Sequence, residues 1–117
     1  TQMQNKGKAE CLSHIADIQI AKHDLAAAEA SYKKMLQVLE SEYGKEHWQV
    51  APIYNNLGLV YKAQIRFEEA EKAFKKSAEI MLQYFGPGHP EMQTVLENLD
   101  HLYVFMDRSK EQEKQSK

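Results

Sequence analysis

Cysteine and proline are scarce in this chain, and neither sign of charge dominates it. The single cysteine, Cys11, cannot close an internal disulfide, so a packed core has to hold the fold. That usage leans toward a reducing compartment, the cytoplasm. The three prolines, Pro52, Pro87 and Pro90, leave long segments without a helix breaker. No apolar run approaches the roughly 20 residues that a membrane helix needs. The N-terminus has no apolar core of a secretion signal, and it opens on Thr1, which we read as the start of an excised or processed piece. A net charge of −2 without a long basic stripe argues against nucleic acid as the main partner. Gly86-Pro87-Gly88 follows a helical segment rather than a strand, so it reads as a turn and not as a phosphate cradle. The five histidines, His14, His23, His47, His89 and His101, fall on different helices or loops and offer no metal-ligand spacing. No Ser–His–Asp or Cys–His set can be placed together. The chain reads as non-catalytic, with no cofactor and no metal.

What it does contain is a period. Shifted by 42 residues, Gly44 falls on Gly86, His47 on His89, Lys33-Lys34 on Lys75-Lys76 and Ala28-Glu29 on Ala70-Glu71. The same shift sets Leu12 on Tyr54, Ile15 on Leu57, Ala16 on Gly58, Leu25 on Phe67 and Tyr32 on Phe74. A third copy opens near Gln93, where Leu96, Asn98, Leu99 and Tyr103 repeat Tyr54, Asn56, Leu57 and Tyr61. A fixed period of this length signals a solenoid whose units bury their apolar faces against their neighbours.

Within a unit the spacing is helical. Tyr54, Leu57, Gly58 and Tyr61 are three and four apart and share one face. Ala70 and Phe74 open a stripe on a second helix, and Gly58 and Ala70 are small enough to let the two axes approach. Five helices are predicted: roughly 6–22, 25–43, 48–64, 67–85 and 91–107. Asp24 is expected to cap the second, Pro52 to sit in the first turn of the third, and Gly86 to close the fourth. Residues 108–117 contain no apolar side chain and read as a charged, flexible tail. Cys11, whose equivalents are Ile53 and Val95, is a packing residue rather than a nucleophile. Position 100, aspartate where earlier copies have Ala16 and Gly58, points to a last helix that acts as a solvating cap. In that cap Leu96, Leu99 and Tyr103 pack on the fourth helix. Trp48 stands where the next copy has Pro90, so it either pins the loop or meets a partner.

Large residues at Tyr54, Leu57, Tyr61 and Phe74 around small ones at Gly58 and Ala70 resemble the tetratricopeptide repeat pattern. The longer period, with Asn55-Asn56-Leu57-Gly58 and Gly86-Pro87-Gly88-His89-Pro90, is similar to kinesin light chain repeats; ordinary units run about 34 residues. The resemblance implies an all-α solenoid of antiparallel helix pairs in a right-handed superhelix. It would hold two and a half units: repeats at about 9–50 and 51–92 and a capping helix at about 93–107, in a domain spanning 1–107. It also implies that the first helix of each unit lines a concave groove. The residues placed there are His14 and Asp17, then Asn55, Asn56, Leu59 and Lys62, then Glu97, Asn98 and His101. In the related family, asparagines at the positions of Asn56 and Asn98 hold the backbone of an extended peptide. An amide suits that task because it both donates and accepts. The alternative is that these asparagines bond neighbouring helices. Lys62, with Arg66 further out, offers too little positive charge for a clamp on a C-terminal carboxylate.

The expected function is an adaptor module or scaffold that binds a protein or peptide, with no membrane or nucleic-acid partner. The alternative is a self-assembly segment of a larger protein, since an unpaired first helix exposing Ile18 and Ile20 invites a neighbour. The expected state is a monomer or weak self-association. A third reading makes it a helper domain of an enzyme whose catalytic part lies elsewhere.

Overall fold

The computed structural model describes residues 14–115, and side chains as far as Asp107. Among the described residues there are five α-helices and no strand. They are α1 (14–21), α2 (Leu25–Tyr43), α3 (Ala51–Ala63), α4 (Phe67–Phe85) and α5 (Pro90–Gln115), with a 3-10 turn at Trp48–Val50 before α3. From α2 onward each helix packs against the next in the chain, and α3 also touches α5. This is an α-solenoid of antiparallel pairs, in which neighbours in sequence share the core. Cys11 and Leu12 lie outside the described residues.

The helix ends follow local chemistry. The Asp24 side chain accepts from the Ala27 N–H at 3.4 Å and starts α2. His47 and His89, one period apart, play a matching part at the inter-repeat loops. The Nδ1 of each accepts a backbone N–H, from Gln49 and from Glu91, both at 3.2 Å. Gly44 and Gly86 end α2 and α4 at φ 95° and 81°, a left-handed backbone that costs glycine nothing. The turns inside the repeats use the same region without glycine, at His23 (φ 61°) and Ile65 (φ 62°).

The core runs as a ladder. Ala16 from α1, with Ala28, Tyr32, Met35 and Leu39 from α2, forms its first level. Ile53, Leu57, Val60 and Tyr61 of α3 face Ala70, Phe74 and Ile80 of α4 in the next, and Met92, Val95, Leu99 and Leu102 of α5 close it. One polar bond is buried within this ladder: the fully buried Ser77 hydroxyl donates to the Ala51 carbonyl at 2.7 Å, tying the middle of α4 to the start of α3.

Four expectations need correction. The third helix is not α-helical from Trp48, because Trp48–Val50 forms a 3-10 turn capped by His47. The close approach at Gly58 is to the Phe74 ring rather than to Ala70. Leu99 of α5 is buried as expected, but Leu96 and Tyr103 remain 43% and 37% exposed. Their equivalents Tyr54 and Tyr61 are sheltered between two second helices, α2 and α4, whereas α5 meets only one second helix, α4, among the described residues. On that one side the Glu71 carboxylate raises the Tyr103 phenol above its ordinary pKa. Finally, α5 continues past Asp107 to Gln115, because the segment, Ser109 apart, is built from Lys, Glu, Gln and Arg, all good helix formers, with no glycine or proline to stop it. Asp100 is exposed, as its place on a capping helix requires.

Candidate functional site

The wall predicted to bind a partner is built where α3 and α5 lie side by side. Asn55, Leu59 and Lys62 are four and three residues apart and form one stripe of α3. Asn98 and Phe105, two turns apart on α5, meet that stripe. The Asn98 side-chain N–H donates to Asn55 Oδ1 at 2.9 Å, and the Lys62 ammonium sits 4.7 Å from the centre of the Phe105 ring, a cation–π contact. Leu59, 42% exposed, stands between these two bridges.

The structure therefore joins Asn55, Lys62 and Asn98, with Leu59 beside them. Asn56 is half-buried one residue away and makes no hydrogen bond among the described residues. Glu97 and His101 are exposed on α5, four apart on one face. His14 and Asp17 are exposed on α1 and make no bond to this group. The Asp17 charge reaches α2 instead: burial first, and then that carboxylate, push the Tyr32 phenol above its ordinary pKa. Among the described residues no three His, Cys, Asp or Glu side chains gather as a metal site needs.

One amide bond does not exhaust the pair. Each asparagine carries two donors and two acceptor lone pairs. The Oδ1 of Asn98 and both N–H groups of Asn55 remain for another polypeptide, as does the whole amide of Asn56. Among the described residues Lys62 pairs with no carboxylate, and its ammonium faces the Phe105 ring.

Two features escaped the sequence reading. Arg66 gathers both walls of the inner turn: Nη1 donates to Glu29 at 2.7 Å and to Gln64 at 3.0 Å, Nε donates to Glu69 at 3.0 Å, and Nη2 pairs with the same carboxylate. Its guanidinium also lies 4.6 Å from the Tyr61 ring centre. Burial alone would raise the Glu29 carboxyl, but Lys33 and Arg66 outweigh it and hold the group below its ordinary value. No periodic signal marks Arg66, because the equivalent residue is Asp24. The second is a row of rings at the inter-repeat loops. His47 stacks on Tyr43 at 4.7 Å, and Phe85 stacks on His89 at 4.4 Å. Trp48 meets His47 at 5.5 Å and the Phe85 edge at 6.1 Å, so it ties consecutive loops together while remaining partly exposed.

The sequence profile described as Tetratricopeptide repeat matches residues 8–82 and again 49–111. Among solved structures the chain is similar to the crystal structure of BtubC (BKLC) from P. vanneervenii. The two agree with a TM-score of 0.77 at 24% identity, over 84% of this chain and 39% of that one. The chain thus spans well under half of that protein's length, and at this identity the likeness concerns the fold. No curated protein matches the chain. Among the described residues no helix is long and apolar enough to cross a membrane.

Proposed function

The chain belongs to the tetratricopeptide repeat family, in the form with a period of 42 seen in kinesin light chain-like repeats, and from that premise we propose a non-catalytic module that holds an extended peptide of a partner protein. The peptide lies along the wall of α3 and α5, continued by His14 and Asp17 of α1. Asn56 and Asn98 take its backbone, Leu59 takes an apolar side chain, and Lys62, Glu97 and His101 set its charge preference. The observation that supports this reading is the Asn55–Asn98 bridge, which for Asn98 also meets the alternative of a bond between neighbouring helices. It fixes two amides at a half-exposed position with donors and acceptors to spare, beside an exposed leucine, as a main-chain ligand requires.

A peptide array screened with the purified chain tests it. Peptides captured by the chain are expected to lose binding to Asn56→Ala and to Leu59→Ser, while the melting temperature of Asn56→Ala stays unchanged. If Asn56→Ala unfolds the chain, or if captured peptides bind both variants as before, the groove reading fails.

A second reading is favoured by the solenoid ends. Ile15 and Ile18 on α1, and Leu96 and Val104 on α5, are exposed apolar residues, so self-assembly through end faces is the competing function. Light scattering across a concentration series separates the two, since a strict monomer removes the second.

A further inference from the structure

The face of α5 turned away from α3 has no neighbour among the described residues. Leu96, Asp100, Tyr103, Val104 and Asp107 follow one another at helical spacing and share it. One period earlier the same face of α3 carries Tyr54, Gly58 and Tyr61 and is covered by α4, whose Phe74 ring lies on Gly58. The helix contacts of α5 are with α4 and α3, and Leu96, Tyr103 and Val104 are all exposed. The edge of α4 beside this face is apolar as well. Glu40 of α2 accepts from the Tyr54 hydroxyl at 3.0 Å, and the residues one period after these two are Leu82 and Leu96, both exposed.

Two features indicate what fits there. The first is the length of α5. After α3 the chain turns at Ile65 and Arg66 into α4, but α5 runs on as helix through the equivalent Asp107 and Arg108 to Gln115. No second helix therefore folds back onto α5 at the place the period sets. The last helix of a stack needs a polar outer face, and Asp100 alone does not supply one amid Leu96, Tyr103 and Val104. The second feature is charge. From Pro90 to Asp107 α5 holds four carboxylates, Glu91, Glu97, Asp100 and Asp107, and no lysine or arginine. Among the described residues none of the four makes an ion pair. Lys75, the cation that reaches this side from α4, is paired with Glu71 at 3.8 Å.

We propose that this face docks an amphipathic helix of a partner protein, which lies on α5 as α4 lies on α3 and stands in for the second helix of the third unit. Its apolar residues, three and four apart, cover Leu82, Leu96, Tyr103 and Val104, as in other helix-in-groove contacts. The residue that takes the place of Phe74 meets Asp100 instead of a glycine. A carboxylate covered there without a counter-charge is costly, so the occupant carries a lysine or arginine at that point. Asp100 thus sets specificity. It rejects a helix of the α4 type, including the α4 of a second copy, and accepts one with a basic residue in the middle of its apolar stripe. The site is separate from the α3–α5 wall and does not depend on the peptide reading of that wall.

Fluorescence anisotropy of a labelled helical peptide tests the proposal. The peptide is alanine- and glutamine-rich, about twenty residues long, with leucines three and four apart and one lysine in the middle of that stripe. Its control has glutamate in place of the lysine. The lysine peptide is expected to bind saturably, and the glutamate peptide about tenfold more weakly. Asp100→Lys is expected to reverse that order, and Leu96→Ser to weaken the lysine peptide about tenfold. Both residues are exposed, so the circular dichroism of the chain stays unchanged. Glu91→Lys makes the same charge change away from this face, and Leu59→Ser alters the other wall; both are expected to leave binding as it was. Absence of saturable binding, equal binding of the two peptides, no reversal by Asp100→Lys, or loss of binding with Leu59→Ser would overturn the assignment. Dimers seen by light scattering and dissolved by Leu96→Ser would overturn it too, by placing a second copy on this face.

Discussion

The ring of Phe74 fills the space that a Cβ on Gly58 would occupy: a methyl group there would lie 2.5 Å from Phe74 Cε1 and 2.8 Å from Cζ. Since Phe74 is fully buried, the ring has nowhere to retreat. Gly58→Ala is therefore expected to destabilise the chain despite alanine's better helix propensity, by about 1–3 kcal/mol, the usual cost of overpacking. Phe74→Leu should partly rescue it in a double-mutant cycle followed by thermal melts. An unchanged or raised melting temperature for Gly58→Ala would contradict this packing.

Ser77 is a polar residue in an apolar ladder, and its equivalent one period earlier is Met35. Its hydroxyl contributes a single buried bond to the Ala51 carbonyl. Ser77→Ala is expected to cost about 1 kcal/mol in denaturant titrations, with the slope of the transition unchanged.

Tyr54 gives the fold an alkaline limit. Burial first, then the hydrogen bond to Glu40 at 3.0 Å and the charges of Glu40 and Glu46, push its phenol up to about 12. A raised value means that the folded state holds the proton longer than the unfolded chain, which releases it near 10.0. The stabilising share of Tyr54 is thus complete below pH 10 and disappears as pH rises toward 12. Melting temperatures measured across that range should fall less steeply in Tyr54→Phe than in the parent chain.

Glu29 sets the opposite limit. Its carboxyl is held below the ordinary 4.5 by Lys33 and Arg66, which outweigh the effect of burial. Its contribution is complete above pH 4.5 and is lost as pH falls through the lowered value. Glu29→Gln should therefore narrow its stability gap to the parent chain on acidification, as read by melts at pH 7 and pH 3.

Ile65 carries local strain. It is β-branched, sits at φ 62° and is 74% exposed, so it bears a left-handed backbone with little packing in return. Ile65→Asn is expected to stabilise the chain by about 1 kcal/mol, visible as a higher melting temperature.

The first repeat shows how far periodicity reaches. Gln19 stands where later units have Tyr61 and Tyr103, an irregularity without an explanation along the chain. In the fold its side chain accepts from Ser31 at 2.9 Å, and Ser31 stands one period before Ala73. A tyrosine above alanine in the second repeat is replaced by a hydrogen-bonded polar pair in the first. The exchange involves two positions at once, and only their contact makes it intelligible. The same holds for the wall of α3 and α5. The family resemblance set Asn55, Asn98 and Lys62 on first helices of their units, but the bridge from Asn98 to Asn55 and the placement of Lys62 over Phe105 join residues about one period apart.

Helix number, order, caps and the buried stripes followed from local rules. Small and large apolar residues recur three and four apart, glycine and histidine mark both inter-repeat loops, and from α2 onward each helix packs against its neighbour in the chain. A solenoid needs little else, because its core contacts are short-range along the sequence. The Arg66 bridge and the exposure of Leu96 and Tyr103 arose at another level. They depend on which walls face each other across α3 and on where the stack of helices stops. Side-chain reach and the absence of a neighbour fix these, and neither has a period to read.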